Sequence, residues 1–201
     1  MTNLAWRIVT CQDGDVTFVF VSGNLALDFA GTLKWRREVP EELLITPDDV
    51  ARWAVEGGIL TETPTVNADE LARLRDLREA VYRLVTATLD GESRDAADAR
   101  LLNLHADGRP PRATLGATAV SYTGTAESIG WATARAAVDL LAHAGHPRLL
   151  ECQRPSCTRI FVDQSRTGNR RWCGMEECGN RVKAANYRAR KTGRDRSPAH
   201  T

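Results

Sequence analysis

The chain has no run approaching eighteen consecutive apolar residues, the length a membrane-crossing helix needs. A secretory leader is not expected, because Asp13, Gly14 and Asp15 interrupt the early apolar run and no basic segment precedes it. Internal repeats and heptads are also lacking. Asp28, Glu38, Glu56 and His105 are available acids and bases, yet no spacing links them to a nucleophile or to a metal cluster. These absences argue against a spanning membrane protein, a repeat array and an enzyme. What is left is a cytoplasmic protein of 201 residues, with the 42% hydrophobic and 26% charged composition of an ordinary globular chain. That length suffices for one domain with a core and a small appended module.

Cysteine is scarce except in one place. Of five cysteines, Cys11 stands alone and is read as a structural or free thiol, while the other four fall in the last quarter of the chain. Cys152 and Cys157 form one C-x4-C pair, and Cys173 and Cys178 form a second. Two close pairs with a short spacer suit one structural Zn2+, since four thiolates fill a tetrahedral shell and leave no open position. Both pairs are wider than the common C-x2-C knuckle. Two disulfides or reduced core cysteines are the alternative reading, and His143 or His146 could replace a ligand. Gly174 and Gly179 follow ligands, where free dihedrals would turn the chain. Between the pairs a strand at Ile160-Phe161-Val162, a turn at Asp163 and Ser165, and packing by Phe161 and Trp172 are expected.

The near-neutral total charge hides a division. From Glu151 onward there are twelve Lys and Arg against five Asp and Glu, which leaves fifteen against twenty-one in the first 150 residues. A basic tail on an acidic body points to a polyanion partner. From Asn180, a plausible cap, helical spacing puts Val182, Ala185 and Ala189 on an apolar side that could pack on the zinc loops. Arg181, Lys183, Tyr187, Arg188, Arg190 and Lys191 then spread around the opposite side. With Arg166, Arg170 and Arg171 they are the candidate contacts to double-stranded DNA, mostly through phosphates. An RNA- or protein-binding zinc module, a merely solvated basic helix, and an enzyme using the N-terminal domain are the rival readings.

The first 150 residues read as mostly helical. Trp6 to Thr10 and Val16 to Val21 are β-prone and suggest a hairpin turning at Cys11. Leu25, Phe29 and Leu33 recur at helical spacing, followed by a K-W-R-R-E-V-P-E-E loop. Thr46 and Pro47 open a helix burying Val50, Trp53 and Ala54, which ends at Gly57-Gly58. Asn67 with Glu70 caps a long helix with Leu71, Leu74, Leu77, Val81, Leu84 and Val85 inward, ending at Gly91. Ser93 is the expected cap of the next, packed by Leu101, Leu102 and Leu104. Ala113 to Tyr122 should form a strand or a pair of strands. Thr125 opens a last body helix facing inward at Ile129, Ala132, Ala136, Leu140 and Ala144. The expected class is α+β: a mostly helical N-terminal domain with a small β-hairpin or sheet over 1–147, and a treble-clef-like zinc finger with a basic helix over 148–192. Residues 193–201 read as a flexible tail.

The run W-C-G-M-E-E-C-G-N-R-V-K-A-A-N-Y-R-A-R resembles the CGNR zinc-finger family, whose Cys-Gly-Asn-Arg stands here at Cys178 to Arg181. L-A-L-D-F-A-G-T and L-L-I-T-P-D-D-V-A-R-W are similar to the ABATE-type domain that precedes this finger. The resemblance implies a bacterial, stress-induced transcription regulator, with an N-terminal domain that senses a small-molecule effector or forms a homodimer. One departure stands out. The family pattern has Asn where this chain has Gly31, so an effector site using that Asn would differ here, whereas a capping role would leave little changed.

Overall fold

A computed structural model describes residues 17–142 and 148–194, without the side chains of residues 186 and 189–194. Trp6 to Thr10, Cys11, Val16, His143, Ala144 and His146 lie outside the described residues, as do residues 195–201 of the expected tail. Six α-helices and six short strands make up the described chain: α1 (Leu25–Ala30), α2 (Pro47–Glu56), α3 (Ala68–Asp90), α4 (Ala96–Ala106), α5 (Ala126–Ala142) and α6 (Asn180–Arg194). The strands pair as three separate antiparallel ladders: β1 (Leu33–Lys34) with β2 (Glu41–Glu42), β3 (Arg112–Leu115) with β4 (Val120–Thr123), and β5 (Leu149–Glu151) with β6 (Ile160–Val162). The fold is α+β, as the pattern implies.

Local chemistry explains the helix ends. Thr46 and Asp49 form a reciprocal capping box at α2, with Pro47 in the first turn. Asn67 and Glu70 form another at α3, which stops where Gly91 takes a left-handed φ of 70°. The cap of α4 is Asp95 rather than Ser93, since its carboxylate accepts from the amides of Ala97 and Asp98. Only Leu102 of the expected α4 trio is buried. Leu101 is half-buried and Leu104 is 71% exposed. On α5 the buried stripe runs through Ile129, Thr133, Ala137 and Leu140, with Ala132 and Ala136 only partly buried. That helix touches α1, α3 and α4 at once, so its buried face is turned from the one its apolar spacing marks.

These four helices enclose the main core. Trp53 of α2 joins it, 4.7 Å from Phe29 and 5.9 Å from Phe20 between ring centroids. The loop after α1, of mixed charge, holds the short β1–β2 ladder, whose Glu42 grips the buried Arg78 of α3 at 2.5 and 2.7 Å. Residues 17–21, expected as a strand, form none. Instead the segment is held by its backbone: Val21 and Ser22 donate to one carboxylate oxygen of Asp28, and Ser22 O accepts from Val162 N of β6.

Strand β6 is shared. Side chains alternate across a strand, and here Ile160 and Val162 enter the helical core while Phe161 enters a second cluster with the four cysteines, Val21, Trp35 and Trp172. Beside it, the Arg159 guanidinium reaches into the body. It donates to Val19 O at 3.0 Å and Gly31 O at 3.4 Å, and lies 3.8 Å from the Asp28 carboxylate.

Burial pushes Asp28 up to about 6, against the opposing pull of Arg159 and the Ser22 and Val21 amides. One of its oxygens is buried without a hydrogen bond. An unfolded aspartate titrates near ~3.9, so between roughly pH 4 and pH 6 the folded chain binds the extra proton and stability falls as pH rises. Denaturant titrations of wild type and Asp28→Asn should show wild type losing on the order of 2–3 kcal/mol relative to the variant from about pH 4 to pH 7. Proton release by the cysteines cancels in that comparison. A difference independent of pH would show that Asp28 does not titrate in this window.

Candidate metal centre and basic helix

The β5–β6 connection delivers the first two sulfurs. Cys152 N donates to Arg159 O at the ladder's end, and Cys157 N donates to Arg154 O across a tight turn. Asp163 then turns the chain as expected, accepting from Ser165 N at 2.9 Å and from Arg170 N at 3.2 Å. Cys173 follows, its amide 3.5 Å from the Cys152 sulfur. Cys178 lies in a π-helical turn, Met175–Gly179, that runs directly into α6. Asn180 is therefore already helical, with φ −67° and ψ −37°, and does not cap. The helix starts earlier because the wide turn brings Cys178 to the other sulfurs, with the amides of Cys178 and Gly179 both donating to Gly174 O.

Gly174 and Gly179 have no left-handed backbone to account for them. At Gly179 space is tight: a Cβ would lie 3.2 Å from Trp172 Cδ1 and would displace the flexible end of the Met175 side chain, 2.6 Å away at Sδ. At Gly174 a Cβ would meet nothing closer than 3.8 Å, so no steric reason for glycine is visible there.

The four sulfurs all lie within 4.8 Å of one another and all four cysteines are buried. Cys157 and Cys173 are 3.8 Å apart, and Cys173 and Cys178 are 3.6 Å apart. A tetrahedron with Zn–S bonds of ~2.3 Å has edges of roughly 3.8 Å, whereas a disulfide bond is about 2.05 Å. The cysteines are free of disulfides. Hydrogen bonds from Cys157, Cys173 and Cys178 hold the Cys152 thiol far below its ordinary range, while Cys152, Cys157 and Cys178 push Cys173 far above. Four thiolates sharing this space need a cation. The donor set fits one structural zinc, held by Cys152, Cys157, Cys173 and Cys178.

The body supplies part of the surroundings of the site. Arg154 reaches the Cys178 sulfur at 4.0 Å and lies 4.6 Å over the ring of Trp35, a non-glycine residue with φ 53°. Its positive charge offsets part of the net negative charge that four thiolates and one divalent ion would carry. Arg37 pairs with Glu151 through two bonds of 2.5 and 2.9 Å, and Arg36 N donates to Thr158 Oγ1 at 3.3 Å. None of these partners is marked by spacing. An arginine inside a ligand loop is the one signal the sequence offered.

The candidate anion contacts divide into two groups. Arg166, Arg171, Arg181, Lys183, Tyr187 and Arg188 have exposed side chains, Tyr187 being 65% exposed. Arg170 is turned inward instead. Its guanidinium lies 4.4 Å over the Phe161 ring and donates to the carbonyls of Val21, Val162, Trp172 and Cys173. The side chains of Arg190 and Lys191 are outside the description. Along α6, Val182 is half-buried and Ala185 is exposed, so neither of these two is buried against the zinc loops, and the side chain of Ala189 lies outside the described residues. The available acids are dispersed: Asp28 faces Arg159, Glu56 pairs with Arg52, and half-buried His105 lies against Gly130, its pKa lowered by burial and by Arg73.

A treble-clef-like finger with a closed four-sulfur site, docked on a helical body, defines a zinc-finger protein of two parts. Comparison with protein families gives the same two parts: residues 23–144 match ABATE, described as "Putative stress-induced transcription regulator", and residues 148–191 match the "CGNR zinc finger". The first match spans more than half of the chain, and the chain belongs to the ABATE family. No curated protein matches it. No helix among the described residues is long and apolar enough to cross a membrane.

Purified protein should hold one zinc per chain by elemental analysis, and Cys173→Ser should lose it. Arg154→Ala should bind zinc about 10- to 100-fold more weakly in a chelator competition, the usual cost of removing a group that supports a metal ligand. Unchanged affinity would mean that Arg154 contributes only to packing.

Proposed function

We propose that this chain is a DNA-binding transcription regulator whose zinc finger presents α6 to double-stranded DNA. The supporting observation is the sorting of basic side chains within one small module. Arg154, Arg159 and Arg170 are committed to the metal surroundings, the body and backbone carbonyls. Arg166, Arg171, Arg181, Lys183 and Arg188 are exposed with Tyr187, Arg171 also donating to the Gln153 side chain at 2.7 Å, and Arg190 and Lys191 continue the same basic sequence. An exposed, basic helix anchored at its first turn is suited to phosphate contact, which supplies affinity, with base edges supplying specificity. The proposed setting is the cytoplasm, where stress would act through an effector of the helical body. Arg170 is withdrawn from the proposed DNA contacts because its donors are already used.

The full-length protein should retain duplex DNA at low salt and lose it steeply as salt rises. Arg181→Ala and Lys183→Ala should each weaken binding and reduce the log–log salt slope by about 1, if each contacts one phosphate. No retention of duplex, or a flat salt dependence, would overturn the reading. Preferential binding of single strands, lost in Tyr187→Ala, would instead favour base stacking on an RNA- or single-strand-binding module.

A further inference from the structure

The β3–β4 hairpin faces the wrong way for a monomer. Its register pairs Ala113 with Tyr122 and Leu115 with Val120, so these four side chains share one face. That face is the outer one. Leu115 is 83% exposed, Val120 42% and Tyr122 40%, while on the reverse face Ser121 and Thr123 of β4 are half-buried and Arg112 and Thr114 of β3 are exposed. A hairpin on a globular body ordinarily does the opposite, with apolar side chains in and polar ones out.

Its edges are unequal. Gly116 N donates to Ala119 O at the turn. Counting by two from that pair, 114 with 121 and 112 with 123 exchange hydrogen bonds within the hairpin. The amides and carbonyls of Ala113, Leu115, Val120 and Tyr122 therefore point outward. On the β4 side Thr61 meets them: its amide donates to Tyr122 O at 2.9 Å, and its hydroxyl accepts from Tyr122 N at 2.9 Å. On the β3 side, no hydrogen bond reaches the outward groups of Ala113 and Leu115 among the described residues. Residues 113–123 contain no charged side chain, although charges are a usual guard on an open edge.

We propose that β3 pairs antiparallel with β3 of a second copy of this chain, about a two-fold axis at Thr114. The open edge is its own complement. In this register Ala113 exchanges two hydrogen bonds with the partner's Leu115, and Leu115 two with the partner's Ala113, so every outward donor meets an acceptor. Each leucine then lies beside the partner's alanine, large against small. Arg112 faces the partner's Gly116, so the two arginines sit at opposite ends and like charges stay apart. Shifting the pairing by two residues toward the strand's start would set Leu115 against the partner's Pro111, which has no N–H to give, and shifting it the other way would set the two leucines against each other and Ala113 against the partner's turn residue Ala117. The result is one four-stranded sheet, where an isolated two-stranded hairpin is only marginally stable, and an isologous interface of the commonest kind. This proposal is independent of DNA binding.

Two variants of the full chain test it, with zinc content as the check on folding. Ala113→Pro removes an N–H the hairpin itself does not use and blocks the edge. Thr114→Cys, in a Cys11→Ser background, puts two thiols across the axis at a non-hydrogen-bonded pair, where Cα atoms are about 4.5 Å apart, within disulfide reach. Sedimentation should show a dimer for the unmodified chain and a monomer for Ala113→Pro, and mild oxidation should cross-link Thr114→Cys into a covalent dimer. A wild-type chain that stays monomeric at its highest soluble concentration would overturn the proposal. So would a dimer that survives Ala113→Pro and leaves Thr114→Cys uncross-linked.

Discussion

Strand β6 has to satisfy two cores at once, and the rest of the architecture follows from that requirement. With Ile160 and Val162 in the helical body and Phe161 among the cysteines, three consecutive residues fix the finger's position to within a side chain's width. The finger has few other means of staying folded, since a module this small lacks sufficient core without a metal. The metal orders the loops around Phe161, and the body orders the strand that carries it. Neither half of that arrangement is complete alone.

Charge is distributed along the same division. Facing the body, the finger's arginines are consumed by carbonyls, by Asp28 and by the sulfur of Cys178. The Arg170 guanidinium is tolerated there because it donates to four backbone carbonyls. Away from the body the cations face solvent. A basic surface that began as an excess in composition thus becomes directional, with the exposed cations gathered along α6.

Much of this was legible in the residues. Capping pairs such as Thr46 with Asp49 and Asn67 with Glu70 act over three positions, and such local chemistry can be read without knowing the fold. The cysteine pairs were legible for the same reason, because a metal site needs only loops of the right length. What could not be read were faces decided by neighbours distant in sequence. The rotation of α5 depends on three other helices, and the inward turn of Arg170 depends on carbonyls of residues 21 and 162. At Asn180, good capping chemistry was present, but the metal's demand on Cys178 had already begun the helix. The outward apolar face of β3–β4 was hidden too, because alternation marks which residues share a face and not which way that face looks.

Gly31 shows how two distant positions can be tied together. The Arg159 guanidinium fills the space where a side chain at 31 would begin, with Nη1 2.6 Å from where its Cβ would stand. The Asn of the family pattern and an arginine at 159 in this pose therefore compete for one volume. Across related chains, the two positions should drift together: a side chain at the first accompanied by a shorter or redirected residue at the second, and glycine returning wherever the long cation does. A finger transplanted from one relative to another would carry half of that bargain and meet the wrong half in its new host.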